Sequence, residues 1–327
     1  MNSSMAYETG NCSTRNDYQQ YLYPAVYSLA LALGLPGNLG ALYVFIFKLR
    51  PRASSTVYVI NLALADTSIL CTLPFKIHYH LRSNDWAFGD VACRITGTLF
   101  FANIYISIAF MSCICVDRYV AVAHPHTYLR LRKSHYAVLV SALLWVTAGA
   151  AVLAFILVGP LDSGPNGGPS GRRSCFENFS KHEWDRRVAP CSLFSLIFGS
   201  LLPSAVILVC YPLVARRITL IRTNTARGAL RVIYTILAIT LFCFLPYHVV
   251  QFLHLLRRLE IIQHCPYANA IYDAQRVTIA LVSLNSVLDP ILYYFTTSHC
   301  KWSQYKVRFQ RHWARKVRGV YTISGGH

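Results

Sequence analysis

Charge is scarce in this chain. Of 327 residues only 13% are Asp, Glu, Lys or Arg, while 54% are hydrophobic; soluble domains carry about 25% charged residues. No soluble core of this length needs so much apolar sequence, so an ordinary soluble domain is excluded and lipid is implied as the solvent. Acidic residues are scarcer still, 13 against 31 basic, and none lies in 48–52, 130–133, 216–231 or 301–318, where Lys and Arg gather. The formal charge of +18 therefore does not describe a nucleic-acid surface, because it falls in short stretches that alternate with stretches of both signs such as 172–187. Catalytic signatures are missing too. There is no HExxH, no GxSxG and no Cys/His zinc spacing, so nothing marks the chain as an enzyme. No two-fold internal repeat of the transporter kind is visible, which leaves a membrane transporter or channel as a distant alternative. The first 20 residues lack an apolar run. The expectation is that no signal peptide is cleaved and that the first span is its own signal.

What is present is a set of long apolar runs, roughly 21–47, 55–80, 90–122, 135–158, 188–217, 227–256 and 268–295. Each is long enough to cross a bilayer as a helix. This predicts an all-α membrane protein, a seven-helix transmembrane bundle over 21–295. A tail over 1–20 precedes it, and a short amphipathic eighth helix and tail over 296–327 follow. The basic stretches belong on the cytoplasmic side by the positive-inside rule, so the N-terminus is expected outside and the basic rim against anionic membrane lipid. Three Asn-x-Ser sequons, at Asn2, Asn11 and Asn178, all fall on the outer side, where glycosylation occurs.

The third run holds Cys93 at one end and Asp117-Arg118-Tyr119 at the other. Cys93 and Arg118 are 25 residues apart, about 38 Å of helix, so one helix spans both water interfaces and is expected in the interior. Cys175 is the only cysteine of the loop 159–187, and outer cysteines pair; the expected disulfides are Cys93 with Cys175 and Cys12 with Cys265. Asp66 in the second run is a carboxylate in mid-membrane, a functional residue by default. Pro74 is expected to kink that helix and Pro246 to make a hinge in the sixth. Trp86 reads as an interfacial aromatic and Trp145 as a packing residue. Over 297–312 Trp302, Tyr305 and Phe309 stand among Lys and Arg, a pattern for a helix on the inner leaflet, with Cys300 a candidate for acylation.

Taken in order, Gly37-Asn38, Leu62 with Asp66, Cys93 with Cys175, Asp117-Arg118-Tyr119, Trp145, Pro203 with Tyr211, Cys243-x-x-Pro246 and Asp289-Pro290-x-x-Tyr293 resemble the motif set of rhodopsin-like (class A) G-protein-coupled receptors, over about 18–312. The Asp289-Pro290 form and the Cys12/Cys265 pair resemble the purinergic and lipid-receptor branch. Within it, 21–28, 247–251 and 270–278 look most like platelet-activating factor receptors, and Cys175-Phe176-Glu177-Asn178-Phe179 is similar to lysophosphatidic acid receptors. The chain departs from the common pattern at Phe244, where many members have Trp, and at Thr240, where many have Phe. The loop before the sixth span is also shorter than usual.

The resemblance implies a plasma-membrane receptor for an extracellular lipid mediator, a platelet-activating-factor-like phospholipid, that activates heterotrimeric G proteins. Arrestin and a receptor kinase are further partners. The alternative is a receptor of the same fold for lysophosphatidic acid or a nucleotide. No cofactor is implied beyond a sodium ion, expected among Asp66, Ser107, Asn285 and Asp289 with Asn38 and Asn103 nearby; two buried carboxylates need a cation or a shared proton. At the inner end Asp117 should hold Arg118 at rest, and Arg118 should swing toward Tyr211 and Tyr293 on activation, with Tyr119 beside it. No acid stands at Ala226, Arg227 or Gly228 to lock Arg118, so ligand-independent signalling is expected. The ligand site is expected between the third, fifth, sixth and seventh spans. Its polar candidates are Tyr105, His248, Gln251, Gln275 and Arg276 with Lys76, Arg82, Arg94 and Arg173, and its apolar lining is Phe100, Phe101, Ile104, Phe244, Tyr247 and Phe252. Phosphate needs charge-assisted donors and an acyl chain an apolar slot.

Overall fold

The computed structural model describes residues 18–49, 53–126, 128, 134–158, 175, 188–220, 224–262 and 264–295. Cys12, Arg173, Cys300, the three sequons, the side chain of Cys265, and the 1–17 and 296–327 ends lie outside them. The described residues form seven helices, each long and apolar enough to cross a membrane: α1 Gln19–Lys48, α2 Ser54–Leu81, α3 Gly89–Ala123, α4 His135–Ala154, α5 Ala189–Arg217, α6 Leu230–Arg258 and α7 Pro266–Phe295. As expected, α3 is the interior helix. Its most apolar window is 56% buried, comparable to α2 at 61% and α7 at 56% and far above α4 at 11%, and α3 packs on α2, α4, α5 and α6. Helix α4 rests on α2 and α3, and among the described residues it scarcely touches α5.

Prolines set the local geometry. A proline lacks an N–H and its ring collides with the carbonyl four residues earlier, so the preceding turn must widen or break. Wide turns of the i→i+5 kind run over Ala30–Gly34, Ser195–Leu201 and Thr240–Phe244, just ahead of or reaching Pro36, Pro203 and Pro246. Before Pro74 the α2 helix breaks at Cys71–Thr72, where the Thr72 hydroxyl caps the Ile69 carbonyl at 2.7 Å. Pro290 leaves the Ser286 carbonyl without its helical donor, and Asn38 supplies one: its Nδ2 donates to Ser286 O and to Gly34 O, each at 2.9 Å. The approach is close because Gly37 has no side chain; a Cβ there would lie 2.8 Å from Pro290 Cγ.

Lipid offers helices little hydrophobic reason to associate, so packing and interhelical hydrogen bonds hold the bundle. Ile108, Phe110, Met111 and Ile114 of α3 are fully buried in the main core. Trp145, expected to pack, does more. Its Nε1 donates to Asn61 Oδ1 at 2.9 Å, tying α4 to α2. Trp86, expected at the interface, is instead buried with Tyr79, Cys93 and Cys175, its Nε1 bound to Gly89 O at 2.7 Å. That turn requires Gly89, whose φ is +79°. The Cys93–Cys175 disulfide forms as expected and anchors the long outer loop to the top of α3.

Candidate functional site

A cavity of about 370 Å³ opens inside the disulfide-bearing end of the bundle. Of the expected ligand residues Phe100, Phe101, Tyr105, Tyr247, Gln251, Gln275, Arg276 and Lys76 line it. Six others do not. Ile104 and Phe244 are buried in the core. His248, only 4% exposed, lies behind the cavity wall between Tyr105, Phe244 and Tyr247. Phe252 is exposed, and neither it nor Arg82 reaches the cavity. Arg94 is held away from it, its Nε on Asp90 Oδ2 at 3.0 Å and Nη1 on Ile156 O at 2.7 Å.

Sequence reasoning missed Arg257 and Arg258, which end α6 and line the cavity with His80, His254, Tyr23, Tyr27 and Tyr272. The signal was there: an Arg-Arg pair at an outer helix end runs against the positive-inside pattern. Tyr272 organises the cations. Arg276 lies 4.7 Å and Arg257 5.6 Å from its ring centre, and Arg276 Nη2 donates to its hydroxyl at 3.0 Å. Lys76 sits 5.3 Å from the Phe100 ring centre on the α2 side. Lys76, Arg257, Arg258 and Arg276 thus face the cavity, and no carboxylate is among its described lining. Toward α4 and α5 the wall changes to Ala151, Val152, Cys191, Ser192 and Ser195, small and uncharged. Just outside, the Tyr18 hydroxyl donates to Asp273 at 2.9 Å and clasps the start of α1 to α7. Burial first, and then this carboxylate, push the Tyr18 hydroxyl above the usual tyrosine range.

Below the cavity Asp66 and Asp289, both fully buried, bring their carboxyl groups within reach of each other. Tyr293 OH donates to Asp66 Oδ2 at 3.0 Å and Ser286 Oγ to Oδ1 at 3.4 Å, while neither oxygen of Asp289 receives a hydrogen bond from a described residue. Ser107 bonds Asn103 Oδ1 at 3.4 Å, and Asn285 and Asn38 complete a buried polar knot. The bare acceptor pair and its oxygen-rich surroundings fit a hard monovalent cation.

At the opposite end of α3, Arg118 pairs with Asp117 at 3.3 Å and donates to the Ser55 hydroxyl. Tyr119 stacks edge-on to His124. Tyr211 OH bonds Tyr234 OH at 3.1 Å, so in this conformation neither Tyr211 nor Tyr293 engages Arg118.

Seven spanning helices around a central α3, an outer cavity, a buried carboxylate pair and an inner Asp-Arg-Tyr define a membrane receptor. The sequence pattern of the 7 transmembrane receptor (rhodopsin family) matches residues 37–293, and the chain belongs to that family of G-protein-coupled receptors. It is similar to lysophosphatidic acid receptor 6 of Gallus gallus, 36% identical over 88% of this chain and 94% of that one. It is also similar to lysophosphatidic acid receptor 4 of Mus musculus, 34% identical over 90% and 81%, and to the uracil nucleotide/cysteinyl leukotriene receptor of Mus musculus, 34% identical over 90% and 84%. It is therefore a multi-pass plasma-membrane receptor and not an enzyme, with an extracellular ligand and a G protein as partners.

Proposed function

We propose that the ligand is a lysophospholipid ending in a phosphate monoester, of the lysophosphatidic acid class. The observation that carries this is the cavity's charge: Lys76, Arg257, Arg258 and Arg276 with no carboxylate in the described lining. A phosphate monoester carries close to two negative charges and accepts several charge-assisted bonds. The platelet-activating-factor-like reading is weaker. Its phosphodiester carries a single negative charge and its quaternary ammonium would meet four cations, against which the faces of Tyr23, Tyr27 and Phe100 offer only cation–π attraction. A nucleotide shares the phosphate chemistry. A lipid is favoured by the uncharged α4–α5 wall and by the sparse contact between those helices, which leaves room for an acyl chain toward the bilayer.

The N-terminus is proposed to lie outside; the basic stretches on the opposite side and the Cys93–Cys175 disulfide support this, since disulfides persist in oxidising compartments. Arrestin and a receptor kinase are proposed as further partners on the inner face. A sodium ion would be held by Asp66, Asp289, Ser107 and Asn285, with Asn103 and Asn38 supporting. Bound there, it would neutralise the carboxylate pair and favour the resting packing of α7 on α2 and α3.

The test is G-protein dissociation in cells given oleoyl lysophosphatidic acid, an ether-linked phosphocholine lipid, ATP or UDP. Lysophosphatidic acid should activate. Arg257→Ala or Arg276→Ala should weaken it by about tenfold or more, the worth of a charge-assisted hydrogen bond. Activation by the choline lipid or a nucleotide, with no response to lysophosphatidic acid, would overturn the assignment.

A further inference from the structure

We propose that Ser55 of α2 is the positioning residue that holds Arg118 at rest, so that the inner lock of this receptor joins α3 to α2 and not to α5 or α6. Helices α5 and α6 offer Arg118 no counter-charge. No acidic residue occurs anywhere from 186 to 259, a stretch that contains all of α5 and α6. A carboxylate lock across to those helices is therefore chemically unavailable.

What remains is local. Asp117 pairs with Arg118 at 3.3 Å, but adjacent residues on a helix do not face each other. The pair is an ionic contact without hydrogen-bond geometry: Asp117 Oδ2 and Arg118 Nε each lack a hydrogen-bond partner among the described residues. The guanidinium finds one described partner on another helix, the Ser55 hydroxyl. That hydroxyl is well fixed. Ser55 is fully buried in the first turn of α2, where the Thr56 amide donates to Ala53 O at 3.0 Å. The first turn of a helix carries partial positive charge, which repels a guanidinium. An oxygen acceptor at position 55 is thus what makes the place tolerable for Arg118. A lock of one hydroxyl is weaker than an ion pair, and it ties Arg118 to neither α5 nor α6. It sets how often Arg118 turns into the bundle.

This inference does not depend on the ligand, so it is tested without one. Nucleotide exchange on a purified heterotrimeric G protein is measured in membranes holding equal amounts of surface receptor, for the parent, Ser55→Ala, Ser55→Thr and Ser55→Asp. Ser55→Ala should raise basal exchange by about tenfold, the cost of one hydrogen bond to a charged group. Ser55→Thr, which keeps the hydroxyl, should stay near the parent. Ser55→Asp supplies a carboxylate where the helix end welcomes one, and should lower basal exchange below the parent. Equal increases in the Ala and Thr variants would mean that packing, not the hydroxyl, is responsible, and would overturn the inference. So would an increase in the Asp variant, or no change in the Ala variant. If Ser55→Ala does not reach the surface, the Asp variant alone decides by its sign.

Discussion

Removing the Asn38 side chain should loosen the seam between α1 and α7 by an amount the geometry allows to be worked out. Its Nδ2 makes two hydrogen bonds at 2.9 Å, to Gly34 O and Ser286 O. The second has no substitute, because Pro290 cannot give Ser286 O its helical donor. Leaving a buried acceptor bare costs about 1–3 kcal/mol, while interhelical hydrogen bonds in membranes average about 0.6 and reach about 1.7 kcal/mol. Asn38→Ala should then cost about 1–2 kcal/mol, read as a fall in Tm of about 2–6 °C in lipid nanodiscs. The decisive measurement is a double-mutant cycle with Pro290→Ala. That change restores an amide to the Ser286 carbonyl, so Asn38→Ala should cost markedly less in its presence. Additive losses would show that the proline's orphaned carbonyl is not what Asn38 serves.

Two further outcomes are expected. Replacing choline by sodium should lower agonist affinity about fivefold or more, within the usual range of coupling between sites, and Asp66→Asn should abolish the effect; an unchanged parent receptor argues against the ion. The Tyr18–Asp273 clasp stabilises through a hydroxyl whose folded pKa is raised. Its contribution is therefore fully present below about pH 10, the ordinary tyrosine value, and is lost only as pH rises further. Hydrogen exchange at the outer end of α1 should stay slow to about pH 9 in the parent and be faster at all pH values in Tyr18→Phe; a parent clasp that opens by about pH 8 contradicts this.

The spans, the central α3 and the Cys93–Cys175 bridge were legible because each follows from spacing or from the cost of charge in lipid, while the meeting of Asp66 with Asp289 was legible only through the family resemblance. The azimuth of side chains was not. Phe244 and His248 were expected in the cavity with Tyr247 and Gln251, but past the wide turn over Thr240–Phe244 only Tyr247 and Gln251 of the four face it, while Phe244 and His248 turn into the buried interior. Partner choice was also hidden. Arg94 looked free for a ligand, yet Asp90 one turn away and the Ile156 carbonyl of α4 take it. Tyr293, expected to meet Arg118 only on activation, bonds Asp66 in this conformation, across 227 positions of sequence. Arg257 and Arg258 were plain in the sequence as charges, but only the convergence of α6 with α7 on Tyr272 shows which way they serve.

The thin seam between α4 and α5 has a pharmacological consequence. An amphiphile with a long tail partitions into the leaflet, each methylene adding about 0.8 kcal/mol, so a ligand reaching the receptor through that seam arrives by two-dimensional diffusion. If the proposed lysophospholipid takes that route, its potency should track mole fraction in lipid, and the same receptor should look less sensitive whenever more membrane shares the dose.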